Sequence, residues 1–150
     1  MKIYLAGPIR GLTYEQACEW REDVEHNLTS LGHTCSSPMR GKEILKTRGK
    51  ITNSYEEFPI SSEAGIYGRD IFDVSNCDVL LANFLGAKDA SLGTAMEVQA
   101  AHDRGKYVLV VMEEGNVHDH PFIRRAASLV VRDIDTALDV LAVLGGPYGE

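Results

Sequence analysis

The sequence predicts a doubly wound α/β domain, a parallel five-stranded sheet with helices on both faces. Three observations lead there. Short apolar runs alternate along the chain with segments of helical period, the pattern left by successive βαβ units. Two of those runs, DVLLANF at Asp78–Phe84 and KYVLVVM at Lys106–Met112, are apolar without alternation, as strands covered on both faces are. No internal repeat, low-complexity stretch or interdomain linker interrupts the 150 residues, so residues 1–150 read as one domain. A chain of this length can bury roughly 68–70% of its unfolded surface without a disulfide or metal staple.

The elements follow in order. Lys2–Ala6 (KIYLA) is a β-prone run stopped by Gly7-Pro8. Thr13 and Gln16, three apart, form a capping box for a helix whose Ala17, Trp20, Val24 and Leu28 recur at helical spacing, and Gly32 ends it. His33–Ser36 is a second short strand. Residues 39–62 have no clean period and carry Gly41, Gly49, Pro59 and several charges. They are expected to be a long loop with one helical turn, and loops of that length are usually functional or mobile. A helix is expected over 63–76 with Ile66, Ile71 and Val74 on its apolar side, then the strand Asp78–Phe84. Thr94–Arg104 is helical and closes at Gly105, and Lys106–Met112 is the next strand. A short helix at Pro121–Ala127, a strand at Ser128–Val131 and a helix at Ile134–Leu144 complete the chain before Gly145-Gly146.

Composition narrows the function classes. Hydrophobic residues are 44% and charged residues 25%, ordinary for a folded globule. A formal charge of −7 lacks the electrostatic footprint of a nucleic-acid binder. No apolar run approaches the ~20 residues of a membrane span, and MKIYLAGPIRG has no signal-peptide pattern, so no membrane partner is expected. Three cysteines, Cys18, Cys35 and Cys77, without CxxC spacing, argue against a disulfide framework or structural zinc and fit a reducing cytoplasmic setting. The five histidines show no metal-binding spacing, and His118 with His120 alone is a poor chelating pair. No metal and no cofactor are expected.

In an open parallel sheet, ligands bind beyond the carboxyl ends of the strands, and three such segments are chemically unusual. In Gly7-Pro8-Ile9-Arg10-Gly11 the glycines let the backbone approach a ligand, and Arg10 could reach a phosphate or carboxylate or merely face solvent. The spacing is not the GxGxxG dinucleotide fingerprint. In GAKDASLGTAME, Gly86–Glu97, residues Ser91, Gly93 and Thr94 place small side chains and free N–H groups at a helix start, suited to an anion or hydroxyl. Glu97, one turn further in, either complements the helix dipole or, among apolar neighbours, serves as a covalent nucleophile or acid/base group. In the third, Asp70 and Asp73 share a helix face at i, i+3 and are either paired acids or a solvated surface, while Asp78 at a strand start reads as structural.

Together these residues resemble the nucleoside 2-deoxyribosyltransferase family. The likeness runs over nearly the whole chain: KIYLAGPIRG, RDIFDVSNCDVLLANF, SLGTAMEVQAAHDRGKYVLVV and GNVHDHPFIRRAA. G-T-x-x-E alone also occurs in phosphoribohydrolases of the lysine-decarboxylase-like group, so the combination carries the resemblance. It implies a Rossmann-like (flavodoxin-like) domain that cleaves the N-glycosidic bond of a nucleoside. Glu97 matches the family nucleophile, which attacks C1′ to form a glycosyl ester later resolved by a second base or water. Asp70 matches the acid that protonates the leaving base, and Tyr4 the tyrosine that orients the nucleophile. The base pocket would draw on Pro38, Met39 and Arg40. Substrate contacts would come from Gly7, Ile9, Arg10, Gly11, Asp73, Ser91, Gly93 and Thr94. The implied partners are a nucleoside or nucleotide and a free nucleobase. The family's homo-oligomers share sites between subunits, and here Asn116, His120 and Phe122 would be offered to a neighbour.

One departure separates two activities. Many transferases carry an aspartate six residues before the nucleophile, for the sugar 5′-hydroxyl, and this chain has Ser91 there. The related 2′-deoxynucleoside 5′-monophosphate N-hydrolases have serine at that position and a similar P-I-R-G opening, but a second serine where His120 stands. The resemblance therefore implies a transferase, with nucleotide hydrolase as the alternative and a non-catalytic nucleotide sensor as a reading from another class.

Overall fold

The computed structural model describes residues 1–146. Five strands, β1 (Lys2–Ala6), β2 (Thr34–Ser36), β3 (Val79–Asn83), β4 (Tyr107–Val111) and β5 (Leu129–Val131), form one all-parallel sheet in the order β2-β1-β3-β4-β5. The strand order reverses at β1 and β3, which places a topological switch point between them. The helices are α1 (Tyr14–Ser30), α2 (Glu63–Asn76), α3 (Leu92–Asp103), α4 (Pro121–Ala126) and α5 (Ile134–Gly145).

Alternating side chains of the buried strands divide into two cores. Ile3, Leu5, Val79, Leu81, Leu109 and Val111 pack with Val24 and Leu28 of α1 and Ala137 and Leu141 of α5. Tyr4, Ala6, Leu80, Ala82, Val108 and Val110 face the other way, with Val74 of α2, Val98 and Ala101 of α3, and Ile123 and Ala126 of α4. The expected layers are therefore present, and Tyr4 lies on the same side as α2 and α3. The Thr13 capping box starts α1, with Gln16 N–H donating to the Thr13 hydroxyl and Thr13 N–H to the Gln16 side-chain Oε1. Asp78 is structural, its carboxylate accepting the Lys2 N–H at 2.7 Å.

Two expectations change. Residues 39–62 are not a structureless loop. They make two 3-10 turns, Glu43–Thr47 and Pro59–Ser61. Met39, Leu45 and Ile51 are buried in a third cluster with Tyr14, Ala17 and Cys18 of α1. Gly11, with φ +84°, donates its N–H to Ile51 O at 2.8 Å, and Ile51 N–H donates to Leu12 O at 2.8 Å, so this segment is stitched to the β1–α1 turn. On α2 the buried face carries Asp70 and Asp73 beside Val74, whereas Ile66 and Ile71 are only half-buried and Tyr67 and Phe72 are exposed. Polar groups inside and aromatics outside invert the usual helical pattern.

Candidate active site

A cavity of about 840 Å³ opens beyond the carboxyl ends of β1, β2 and β3, a size suited to a small organic ligand. The β1–α1 turn brings Gly7, Pro8, Ile9, Arg10 and Gly11 to it, and Pro38 follows β2. The loop after β3 brings Asp89, Ser91, Gly93 and Thr94, while Asp70 and Glu97 enter from α2 and α3. Gly7 is required by close approach. A Cβ there would stand 2.9 Å from Asn83 O and 3.1 Å from the Trp20 ring. Arg10 stands exposed at the cavity wall, with no hydrogen bond or ion pair among the described residues.

Glu97 points its partly buried carboxylate into this cavity and accepts a hydrogen bond from the Tyr4 hydroxyl at 2.8 Å. Burial, then the charge of Asp70, pushes the Glu97 pKa up to about 7, while the Tyr4 bond, Arg21 and Lys42 act the other way. Tyr4 is fully buried and its pKa is raised well above the ordinary value by burial and by Glu97, so it remains a phenol that donates. Asp70 is also raised, by burial first, against the opposing charges of Arg69 and Lys42. Its Oδ1 is held by Arg69 at 3.2 Å, and the same guanidinium binds the Pro38 and Arg40 carbonyls. Asp70 is thus a positioned carboxyl with a raised proton affinity, beside a second one of the same kind. Such coupled acids are suited to divide nucleophilic and proton-transfer roles.

Several expected site residues are placed elsewhere. Met39 is 2% exposed in the third core and does not line the cavity. Asp73 is turned away, its carboxylate clamped by Arg40 at 2.6 and 3.1 Å, because the buried acid needs a partner and the chain following β2 supplies one. Asn116, expected to reach a neighbouring subunit, is bound within its own chain. Its amide donates to Phe84 O and Glu113 Oε2, and its oxygen accepts the His118 N–H. His120 caps α4 by accepting the Phe122 N–H, and Phe122 is 74% exposed. Neither lines the cavity.

Three contributors were not foreseen. Arg21 lies wholly buried beneath the β1–α1 turn. Its position was readable, since 14, 17, 21, 24 and 28 form one helical stripe, and a charge on an apolar stripe is informative. Lys42 lines the cavity at 4% exposure. His118 is turned inward, away from His120, and its Nε2 accepts the Ser91 N–H at 2.7 Å. Its Nδ1 stands 3.0 Å from Asn116 Oδ1, and its ring stacks on Phe84 at 3.9 Å between centroids. Burial lowers its pKa, which keeps the accepting nitrogen free of a proton. This chain from Asn116 through His118 sets the start of α3, where the Ser91 hydroxyl also accepts the Thr94 N–H. His118→Ala is expected to cost about 1–3 kcal/mol, the worth of one buried hydrogen bond with its stack. Tm should fall by about 3–10 °C at this size, read by calorimetry; an unchanged Tm would remove His118 from the scaffold of the site.

The fold and this pair of raised carboxyls at a sheet switch point define an enzyme-type site for covalent or acid–base chemistry on a small molecule. Residues 3–140 match the family described as Nucleoside 2-deoxyribosyltransferase. The chain belongs to that family, and with it to a class of glycosyl-transferring enzymes. No curated protein matches it. Among solved structures it is similar to the CMP N-glycosidase BcmB of Clostridium botulinum, at 17% identity, TM-score 0.61, over 96% of this chain and 99% of that one. It is also similar to a 2-desoxiribosyltransferase of Leishmania mexicana, at 17% identity, TM-score 0.56, over 75% of this chain and 65% of that one. A beryllofluoride-activated NtrC receiver domain matches at 15% identity, TM-score 0.51, over 99% and 98%. At these identities the structural likenesses establish the fold alone, and the same fold hosts unrelated chemistry.

Proposed function

We propose that this protein cleaves the N-glycosidic bond of a 2′-deoxynucleoside and transfers the sugar to another nucleobase. The observation that carries it is the Tyr4–Glu97 hydrogen bond in a cavity shared with Asp70. Ionised Glu97 attacks C1′, the C1′–N bond breaks with its electron pair passing to the base, and protonated Asp70 delivers a proton to that base. The glycosyl ester on Glu97 is then attacked at C1′ by a second base nitrogen, which returns the carboxylate. The nitrogen's proton goes back to Asp70. Two inversions give net retention, as in retaining glycosidases.

A second reading, hydrolysis of a 2′-deoxynucleoside 5′-monophosphate, is favoured by Ser91 at the α3 N-cap and by unpartnered Arg10 on the same cavity. A hydroxyl, a helix start and a guanidinium accept a phosphate that an aspartate would repel. One assay separates the two. The protein is incubated with deoxyinosine or its 5′-monophosphate, each with and without adenine, and products are separated by chromatography. Transfer is expected to give deoxyadenosine; free sugar and base alone would overturn it. A strong preference for the monophosphate that Arg10→Ala or Ser91→Ala erases would establish the second reading, and equal rates on both substrates would sink it.

The same reading includes a homo-oligomer with sites shared between subunits. Large apolar side chains stand exposed on the helical layer that faces the cavity: Tyr67 and Phe72 on α2, Leu92 and Met96 on α3, and Phe122 on α4. Exposed apolar surface of this kind marks association sites, and it supports His120 and Phe122 as residues offered to a neighbour. No helix among the described residues is long and apolar enough to cross a membrane. With Cys18, Cys35 and Cys77 all free, the chain is suited to a reducing compartment, and we place it in the cytoplasm.

A further inference from the structure

Lys42 and Ser61 are polar side chains of the site that no step above uses. Both belong to the segment stitched over the β1–α1 turn, both line the cavity, and they are 4% and 1% exposed. The other cations beside the two carboxyls are engaged: Arg69 on Asp70, Arg40 on Asp73, and Arg21 on three backbone carbonyls. Among the described residues the Lys42 ammonium has no hydrogen bond and no ion pair, and the Ser61 hydroxyl is a buried oxygen with no partner. Buried polar groups without partners are costly and rare. An ammonium without a partner and a buried hydroxyl without a partner on one cavity point to a ligand that completes them.

The charges identify which part of the ligand. Lys42 is held down to about 8 by burial first and by Arg69, and among the carboxylates acting on it Asp70 outweighs Glu97. Arg69, which grips Asp70, also donates to the carbonyls of Pro38 and of Arg40, two residues before Lys42, and this puts the Lys42 stretch on the Asp70 side of the cavity. Under the reading above, the departing base faces Asp70. Ser91 and Arg10, the groups suited to a phosphate, come from other loops.

We propose that Lys42, supported by Ser61, recognises the nucleobase by donating to a ring carbonyl oxygen, so that the site selects oxo-bases over adenine. The inference rests on the glycosidic reading and deepens it. Breaking the C1′–N bond leaves an electron pair that an oxo-base shares with its carbonyl oxygen, and a donor aimed at that oxygen gains strength as the charge develops. Adenine has no carbonyl to take that charge. Lys42 is a specificity-determining residue on this account, and its proton stays on nitrogen throughout.

The test compares wild type, Lys42→Met and Ser61→Ala on deoxyuridine, deoxyinosine and deoxyadenosine, each as nucleoside and as 5′-monophosphate. Calorimetric titrations with free uracil, hypoxanthine and adenine run beside it. Wild type is expected to favour the oxo-bases by at least about tenfold. Lys42→Met should lose about 100-fold in kcat/KM on them, the usual cost of one donor to a developing charge. On deoxyadenosine the loss should be at least about tenfold smaller, limited to the shift in the Glu97 ionisation that Lys42 helps hold down. Ser61→Ala should narrow the same preference by several-fold, and it keeps the test open should Lys42→Met fold poorly. The titrations should show hypoxanthine binding weakened by Lys42→Met and adenine binding unaffected. An unchanged preference in both variants would overturn the proposal, and so would a Lys42→Met loss confined to monophosphates whatever the base. If the wild type cleaves no substrate, the glycosidic reading falls, while the titrations still decide whether Lys42 discriminates the bases.

Discussion

Glu97→Gln is expected to abolish turnover and at the same time to make the protein more stable above neutral pH. Loss of the attacking oxygen should lower kcat by at least about 10³-fold, the scale of removing a covalent catalytic group. The amide keeps an oxygen for the Tyr4 hydroxyl, so binding should change little. The stability gain follows from proton linkage. The folded protein holds the Glu97 proton more tightly than an unfolded chain does, with a pKa raised from 4.5 to about 7. Below about pH 4.5 both states are protonated and burial of the group carries no ionisation cost. Between 4.5 and 7 the unfolded chain ionises first, and the cost grows. Above 7 it is constant, with a ceiling of about 3 kcal/mol. Glutamine carries no charge, so its advantage should be near zero at pH 4.5 and about 1–3 kcal/mol at pH 8, read as a pH-dependent difference in Tm between variant and wild type. Activity of the wild type should be bell-shaped in pH, because the working form carries one proton between Glu97 and Asp70, and more acidic or more alkaline solution depletes that form. Because the two carboxyls are coupled, both limbs belong to the pair. A variant that retains turnover within tenfold, or whose Tm advantage does not grow from pH 4.5 to 8, would remove Glu97 from the chemistry.

How much of this was legible in the sequence depended on how local each signal was. The fully apolar runs at β3 and β4 need no partner to be recognised, and the Thr13–Gln16 box and the glycine stops are written within a few residues. Element ends shifted by a residue or two; Ser91, for instance, caps α3 at Leu92, two residues before the expected start. The roles expected of Glu97, Asp70 and Tyr4 come from the family resemblance, since spacing alone attaches none to them, and the structure brings Glu97 and Asp70 to one cavity with Tyr4 bonded to Glu97. The acid pair at 70 and 73 was not readable as two different things. Helical spacing puts both on one face, yet only tertiary partners separate them: Arg40, 33 residues away from Asp73, clamps that acid off the cavity, while Arg69 holds Asp70 on its wall. Lys42 and Ser61 sit in a stretch without period, where only the tertiary stitching through Gly11 and Ile51 reveals that they are inside. For a related reason the sequence does not show that Asn116, assigned to a neighbour's site by the resemblance, is held within its own chain, because its acceptors Phe84 O and Glu113 Oε2 and the His118 ring are not visible along the chain.

Arg21→Met should be the most destabilising single substitution near the site. Arg21 is 1% exposed, and its guanidinium donates to Leu5 O at 3.1 Å, to Gly7 O at 3.0 Å and to Ala17 O, with the Trp20 ring 4.6 Å away. No carboxylate forms an ion pair with it among the described residues. Burial lowers its pKa to about 10, which still leaves it charged at neutral pH. Methionine fills part of the volume and removes the cost of burying the charge, but it strands carbonyls at the end of β1 and in the turn that forms the cavity floor. A stranded buried acceptor costs about 1–3 kcal/mol, so a net loss of about 3–5 kcal/mol and a fall in Tm of about 8–15 °C are expected. A second effect distinguishes a role in the site from a purely structural one. Arg21 is among the charges that hold the Glu97 pKa down, so its loss should move the acidic limb of the activity profile toward higher pH. Arg21→Lys retains the charge without the three-way fork, and it should restore the pH limb while recovering little of the Tm. If Arg21→Met melts within about 2 °C of wild type, the guanidinium does not hold the turn. If its pH limb is unmoved while Tm falls, the residue supports the fold and leaves the nucleophile alone.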